Sequence, residues 1–317
     1  MKPYYKILPF CFFLAITGMA CKKNVTRQTT KTPRPAPLIL PEIPPTLIGE
    51  QDRIYYLLQH YWDTMDFKDT LYAHHPDITE QSLVDYIDLL NRTRDPERVK
   101  KAVDKLFEQA SADSTGVLFR YIIKELTRYL KEPNSPLRNE AHYAFVVDNI
   151  LKGNYPQLTE EDNEKARFNW TVIQKNKVGT LAADFDYTLL SGEKGSLHQL
   201  KAPYTLLFFY EPECIGCKGY IEWLKQDEAF NLLVDQGTLK VLTLYVEEEL
   251  ELWRKEVSRL PAAWIKAYDD KGVILQNDLY HLEASPTLYL LDSRKTVMLK
   301  DAELEDLLHW IHQKANL

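Results

Sequence analysis

Hydrophobic and polar positions follow two different patterns along the chain, and the change between them falls near residue 175. From about Glu50 to Asn169, apolar residues recur every three or four positions, as they do at Ile54, Leu58 and Met65. This spacing places the apolar side chains on one face of a helix. It predicts five or six helices that form a separate all-α unit.

The ends of these helices are marked by capping residues. Asp95 precedes Pro96, and Thr159 precedes a run of acidic residues, and both arrangements are typical of a helix start. Gly153 and the segment "EPNSP" at residues 132–136 are typical of helix ends. The helical unit is therefore predicted to consist of several short helices with defined turns.

Beyond residue 175, short apolar runs alternate with glycines. Residues 178–200 have the pattern of a β-hairpin, and "YTLLFFY" at residues 204–210 has the composition of a buried central strand. Residues 217–234 return to helical spacing. The fold class predicted for this half is α/β.

The composition indicates a globular protein with two domains. The chain has 317 residues, of which 45% are hydrophobic and 27% are charged, and its formal net charge is -7. A protein that binds a nucleic-acid backbone needs a basic surface. The negative charge therefore argues against nucleic acid as a partner.

The first residues have the pattern of an export signal. Lys2 and Lys6 precede an apolar stretch at residues 7–20, and the stretch is too short to span a bilayer comfortably. The sequence "ITGMAC" that ends at Cys21 resembles a bacterial lipobox. The resemblance implies a signal peptide over residues 1–20, lipidation of Cys21 and a membrane-anchored chain that faces the periplasm. The alternative is an ordinary secretory signal that is cut near Ala20 and leaves Cys21 as a free thiol.

This interpretation divides the chain into four segments, of which the signal peptide is the first. After the signal peptide, residues 21–48 are rich in proline and predict an extended tether, residues 49–172 form the helical domain, and residues 173–317 form the α/β domain. Residues 55–70, "YYLLQHYWDTMDFKDT", resemble the start of an uncharacterised helical domain that precedes thioredoxin-like domains in lipoproteins of Gram-negative gut bacteria. The resemblance adds architecture and no mechanism. His60 and the pair His74 and His75 are interpreted as surface and turn residues.

Two of the four cysteines, Cys214 and Cys217, lie between the predicted buried strand and a helix. This order puts Cys214 at a helix N-terminus, where free N–H groups and the helix dipole favour the thiolate. A thiolate is the reactive form of cysteine. The spacing therefore indicates thiol chemistry.

Residues 176–317 resemble the thioredoxin-like superfamily, in particular its membrane-anchored extracytoplasmic thiol-disulfide oxidoreductases. The resemblance lies in the strand, C-x-x-C, helix order and in the later segments "KVLTLYV", "ASPTLYLLD", "TVMLK" and "AELEDLLHWIHQKA". It also implies a helix at "EEELELWRKEVSRL", residues 247–260. It implies a central mixed sheet with flanking helices and no cofactor. Cys214 would attack a partner disulfide, Cys217 would resolve the mixed disulfide, and Pro286, after Ser285, would be a cis-proline that faces the cysteines and binds substrate. The implied partners are protein thiols and disulfides and a redox protein of the membrane.

Three residues depart from the superfamily pattern. Glu213 replaces the usual tryptophan, Phe208 replaces a buried acid, and Ile215 and Gly216 form the central pair. A helix N-terminus favours an anion by about 0.3 to 1 kcal/mol, whereas a carboxylate some 6 Å away disfavours it by about 0.7 kcal/mol in water. These contributions are opposed and similar in size, so the sequence leaves open whether the protein reduces or oxidises its partners.

Three other interpretations of the cysteine pair are weaker or less specific. A purely structural disulfide would close a very small loop and add little stability. A structural zinc site needs four ligands, and the chain has no second cysteine pair, although His309 and His312 lie one helical turn apart. The third alternative is a non-catalytic binding or scaffold lipoprotein whose helical domain recognises a ligand.

Overall fold

The computed structural model describes residues 33–315, and six α-helices occupy the first half of this part of the chain. The helices are α1 Glu50–His60, α2 Pro76–Asn91, α3 Pro96–Ala110, α4 Val117–Lys131, α5 Glu140–Lys152 and α6 Glu160–Gln174. Asp95 caps α3 by accepting a hydrogen bond from the Glu97 N–H, and Thr159 forms a capping box with Asp162 at α6. The predicted number of helices and both predicted starts are confirmed.

A single apolar cluster holds the six helices together. Its largest fully buried side chains include Tyr61, Tyr86, Phe107 and Phe119, and the rings of Tyr61 and Tyr86 lie 5.2 Å apart. Burial of a large apolar side chain contributes about 1.5 to 3 kcal/mol. Packing of these side chains therefore stabilises helices that are too short to be stable alone.

The second part of the predicted proline-rich tether lies against this helical domain. The Tyr72 hydroxyl donates to the Ala36 carbonyl oxygen at 2.8 Å, and Thr64 Oγ1 exchanges hydrogen bonds with the N–H and the carbonyl of Ile39. Leu38 packs on the apolar cluster. The predicted signal peptide, Cys21 and the tether up to residue 32 lie outside the described residues. Within residues 33–315, none of the helices has the length and apolar character needed to cross a membrane.

The second half contains one seven-stranded sheet with helices on its faces, as far as the described residues show. The strand order is β2-β1-β5-β4-β3-β6-β7; β3, β4 and β5 are parallel, and the other neighbours pair antiparallel. The strands are β1 Asp186–Leu189, β2 Lys194–Ser196, β3 Tyr204–Phe209, β4 Leu239–Tyr245, β5 Ile265–Tyr268, β6 Thr287–Leu291 and β7 Val297–Lys300. The helices are α7 Ile215–Gln226, α8 Glu228–Asp235, α9 Leu250–Glu256, α10 Val273–Gln276 and α11 Leu304–Ala315. The predicted fold class, a mixed sheet with flanking helices behind an all-α domain, is confirmed.

Two predicted helices differ from the structure. The helical spacing of residues 217–234 belongs to two helices, because Asp227 ends α7 and its carboxylate accepts the Phe230 N–H at 2.7 Å to begin α8. The helix predicted over residues 247–260 is shorter, since α9 ends at Glu256 and a 3-10 turn follows before Pro261. Strand β5 has only four residues and was not predicted from the pattern.

A buried ion pair joins the two halves of the molecule. The side chain of Lys300, at the end of β7, is 4% exposed, and its Nζ lies 2.9 Å from Glu140 Oε2 at the start of α5. The same ammonium donates to the carbonyls of Val172 and Ile173 at 3.0 and 3.1 Å. Burial lowers the pKa of Lys300 and raises that of Glu140, because it disfavours both charged forms. The charged form of each side chain is therefore stabilised by the charge of the other.

Replacement of this lysine should destabilise the whole protein. In a Lys300→Met variant, Glu140 and two carbonyls lose their partner, and we expect a loss of about 2 to 3 kcal/mol, less than for a fully buried pair because Glu140 is one-third exposed. Chemical denaturation measures the change. The exposed pair of Lys194 and Asp270 is the control, since Lys194→Met should cost less than about 1 kcal/mol. Equal losses in the two variants would contradict the assignment.

Candidate active site

The site forms where three neighbouring segments meet at one end of the sheet. Strand β3 is buried between β4 and β6, and the chain leaves its carboxyl end to begin α7. Strand β6 runs antiparallel to β3 and pairs Thr287 with Phe209. The start of β6 therefore lies beside the end of β3, although the two segments are far apart in the sequence.

Cys214 and Cys217 form a disulfide at the start of α7. Their Cα atoms are 5.3 Å apart, and Cys214 is the N-cap residue of the helix. The Cys217 N–H donates to Cys214 Sγ at 3.0 Å. Cys214 is partly exposed, whereas Cys217 is 1% exposed. An incoming group can therefore reach the sulfur of Cys214 more easily than that of Cys217.

The loop before β6 covers one side of this disulfide. We call residues 281–286 the proline loop; its Ser285–Pro286 peptide bond is cis, as the resemblance implied. The carbonyl oxygen of Ser285 lies 3.3 Å from Cys214 Sγ. The structure thus brings together Cys214, Cys217, Ser285 and Pro286, the four residues that the sequence suggested for the site.

Gly216 leaves space between the disulfide and the proline loop. A Cβ atom at this position would lie 3.5 Å from the Ser285 carbonyl oxygen, 3.6 Å from Pro286 Cδ and 3.9 Å from Cys214 Sγ. The sequence analysis did not identify this residue as part of the site. Its place within C-I-G-C was the available signal, because glycine often stands where another backbone approaches closely.

Apolar and aromatic residues lie beneath the disulfide. Phe208, at the position where many thioredoxins have an acid, is fully buried in the same cluster as Cys217. The Trp253 Nε1–H donates to the Tyr210 hydroxyl at 2.9 Å, and burial raises the pKa of Tyr210. An open cavity of about 300 Å³ beside Cys217 has Glu256 in its lining. Acidic residues near Cys217 thus line this cavity, whereas the residue of the strand beneath it is the apolar Phe208.

The described residues give no indication of a metal centre. In the part of the chain that the structure describes, no group of three or more His, Cys, Asp or Glu side chains is arranged to hold an ion. His60 Nδ1 lies 2.7 Å from Asp63 Oδ2, and His312 Nε2 lies 2.7 Å from Asp227 Oδ2. Each of these histidines therefore contacts a carboxylate. His74 ends a 3-10 turn, Thr70–His74, on the helical domain.

Comparison with known proteins assigns both halves of the chain. Residues 18–176, about half of the chain, match the family described as Domain of unknown function (DUF5106). A thioredoxin-like protein from Bacteroides caccae, known from its crystal structure, is 40% identical; the match covers 87% of this chain and 98% of that chain, with a TM-score of 0.82. The chain belongs to the DUF5106 family and carries a thioredoxin-like domain behind it.

Two further solved structures each match less than half of the chain. The C-terminal domain of an uncharacterized protein from Bacteroides fragilis is 46% identical and covers 44% of this chain and 99% of its own, with a TM-score of 0.43. A domain of a possible thiol-disulfide isomerase from Cytophaga hutchinsonii is 27% identical and covers 44% of this chain and 93% of its own, with a TM-score of 0.37. No curated protein matches the chain.

The size of residue 216 should control access to the cysteines of this DUF5106 protein. In a Gly216→Val variant, the added methyl groups would press on Ser285 or cover Cys214, and we expect the reaction at Cys214 to slow about tenfold, which corresponds to about 1.4 kcal/mol of activation free energy. The measurement is the rate at which the reduced protein reacts with a small aromatic disulfide reagent.

Gly219, on the same helix, is the matched control for this variant. A Cβ atom there would have no neighbour within 4 Å, so Gly219→Val should react at the rate of the unmodified protein. If the two variants reacted equally fast, the space beside Gly216 would not control access.

Proposed function

We propose that this protein is a lipid-anchored, extracytoplasmic thiol-disulfide oxidoreductase that exchanges disulfides with partner proteins through Cys214 and Cys217. The observation that carries the proposal is the disulfide at the N-terminus of α7, with one sulfur partly exposed and 3.3 Å from the carbonyl of Ser285. A disulfide that served only to stabilise the fold would need neither this exposure nor this loop. The similarity to a thioredoxin-like protein over nearly the whole chain supports the proposal.

The exchange takes place in two steps that balance in electrons. In the reduced protein, the thiolate of Cys214 attacks one sulfur of the partner disulfide, a mixed disulfide forms, and the other partner sulfur leaves as a thiolate. The thiolate of Cys217 then attacks Cys214 Sγ, the internal disulfide forms, and the second partner thiolate leaves. Two electrons pass from the cysteine pair to the partner, and the reverse steps oxidise a partner dithiol.

The surroundings of the two sulfurs support different roles for Cys214 and Cys217. The Cys217 N–H lies 3.0 Å from Cys214 Sγ and can stabilise a thiolate there, and the dipole of α7 adds about 0.3 to 1 kcal/mol in the same direction. Cys217 is 1% exposed and therefore cannot meet a large partner first. Cys214 is the nucleophile of the first step, and Cys217 resolves the mixed disulfide.

The proline loop supplies the contact surface for the partner chain. Ser285 and Pro286 line the approach to Cys214, and the gap above Gly216 lies between them and the helix. A partner segment in this gap would place its own sulfur next to Cys214. No cofactor takes part in these steps, since the electrons move between sulfur atoms.

The proposed location rests on the sequence before residue 33. Cys21 would receive the lipid, and the remaining proline-rich residues would connect the anchor to the segment that packs on the helical domain. In the periplasm a disulfide can persist. A redox protein of the membrane would return the cysteine pair to the redox state, dithiol or disulfide, that the exchange consumes.

Substitution of the two cysteines should separate their roles. With dithiothreitol as the electron source, the unmodified protein should accelerate insulin reduction, and Cys214→Ser should abolish the acceleration. Cys217→Ser, which retains the nucleophile, should accumulate a mixed disulfide that mass spectrometry detects when the reduced variant is freed of dithiothreitol before it is mixed with insulin. No acceleration by the unmodified protein, with both thiols titratable, would favour the non-catalytic binding or scaffold lipoprotein instead.

Lipidation can be tested at Cys21 in the full-length precursor. In a Gram-negative host supplied with radiolabelled palmitate, the unmodified chain should incorporate label and sediment with membranes, whereas Cys21→Ser should do neither. Cys11→Ser is the control, because Cys11 lies within the apolar stretch of the signal and should not affect labelling. Unlabelled protein in the periplasmic fraction would indicate an ordinary secretory signal.

A further inference from the structure

We infer that the DUF5106 helical domain is a positioning element of the redox site, because it contacts the proline loop directly and is connected to α7 through Glu303. This inference rests on the proposed function, since it assigns to the helical domain a role in the same reaction. It is drawn from two series of contacts that start on different residues of the helical domain; one ends on the proline loop and the other ends on α7.

The first series leads to the proline loop. Lys131, the last residue of α4, has its Nζ 3.1 Å from Glu283 Oε1, two residues before Ser285. His281 Nε2 lies 2.9 Å from the same carboxylate oxygen, and the ring of Phe168 on α6 contacts the His281 ring. The helical domain thus binds the loop whose carbonyl oxygen faces Cys214.

The charge state of Glu283 suits this role. Burial disfavours the charged carboxylate, but its contacts with His281 and Lys131 outweigh this effect and lower the pKa of Glu283. The carboxylate is therefore ionised near neutral pH, and the ion pair with the helical domain is formed under ordinary conditions.

The second series leads to α7. Arg138, in the loop between α4 and α5, forms an ion pair with Asp301 and lies 3.7 Å from Glu303 Oε1. The other oxygen of Glu303 accepts a hydrogen bond from the Tyr220 hydroxyl at 3.0 Å. Tyr220 is on α7, one turn after Cys217, so the helical domain is also connected to the helix that carries the cysteines.

The signs of the charges make this surface specific. In both series the helical domain supplies the cation, Lys131 or Arg138, and the thioredoxin-like domain supplies the acids, Glu283, Asp301 and Glu303. The buried pair of Lys300 and Glu140 has the opposite polarity and lies on the same interface. A wrong alignment of the two domains would bring like charges together.

The expected consequence is an effect on partner binding and not on the sulfur chemistry. The two contact series end at Glu283 in the proline loop and at Tyr220 on α7, and neither of them touches a sulfur atom. A variant that loosens the proline loop should therefore raise the KM for a protein disulfide. The kcat and the equilibrium of the cysteine pair with glutathione should remain the same.

Charge exchange between Lys131 and Glu283 tests the inference in the full chain. We expect Lys131→Glu and Glu283→Lys each to raise the KM for insulin about three- to fivefold, with kcat changed less than about twofold. The double exchange should restore the KM, because the ion pair forms again with reversed polarity. Lys194→Glu is the matched control, since it breaks a similar ion pair with Asp270 at the far edge of the sheet and should leave the KM unchanged. An unaltered KM in both single variants, or no recovery in the double variant, would overturn the inference.

Hydrogen exchange provides a second measurement that does not depend on activity. The amides of residues 284, 285, 287 and 288 should exchange faster in Lys131→Glu and return to the original rate in the double variant. Tyr220→Phe, which removes the hydroxyl that binds Glu303, should speed exchange at residues 217–220. If the unmodified protein reduces no disulfide, the proposed function fails while these exchange rates still test the positioning role. Unchanged rates in a protein that is active would overturn the positioning role alone.

Discussion

The antiparallel pairing of β6 with β3 is the interaction on which the site depends. Its register places Thr287 opposite Phe209, so that the proline loop before β6 meets the segment after β3. A shift of one residue would turn the side chains of β6 to the opposite face of the sheet. All five residues of β6 are buried, and this burial makes such a shift costly. The distance between Ser285 and Cys214 is thus a consequence of packing in the sheet.

The two domains share one interface, and its polar groups are matched in charge. The side chain of Lys300 is almost fully buried there. Its ammonium donates to two carbonyls at the C-terminal end of α6 and forms an ion pair with Glu140. Removal of one member of a buried ion pair costs more than the pair contributes, because the other charge remains without compensation. We therefore expect the two domains to remain in contact at this interface. A closed interface gives the helical domain a fixed position from which to contact the redox site.

Much of the secondary structure could be predicted because its causes are local. Caps such as Asp95 and Thr159 act over three residues, and the apolar spacing of the helices reflects one turn at a time. Local causes also explain the errors. Asp227 can cap a helix end as well as lie within a helix, so its effect on residues 217–234 was not visible from apolar spacing. Strand β5 is four residues long and gives too short a pattern to recognise.

The order of residues along the chain determined that a strand, two cysteines and a helix follow one another, and this order places Cys214 at a helix start. The resemblance suggested that Ser285 and Pro286 face the cysteines, but only the tertiary structure decided the contacts themselves, because Ser285 is 71 residues from Cys214 and Glu283 is 152 residues from Lys131. Contacts over such separations arise from sheet register and domain packing, which leave no periodic trace in the sequence. The gap at Gly216 and the ionic contacts of the helical domain therefore became visible only in the folded chain.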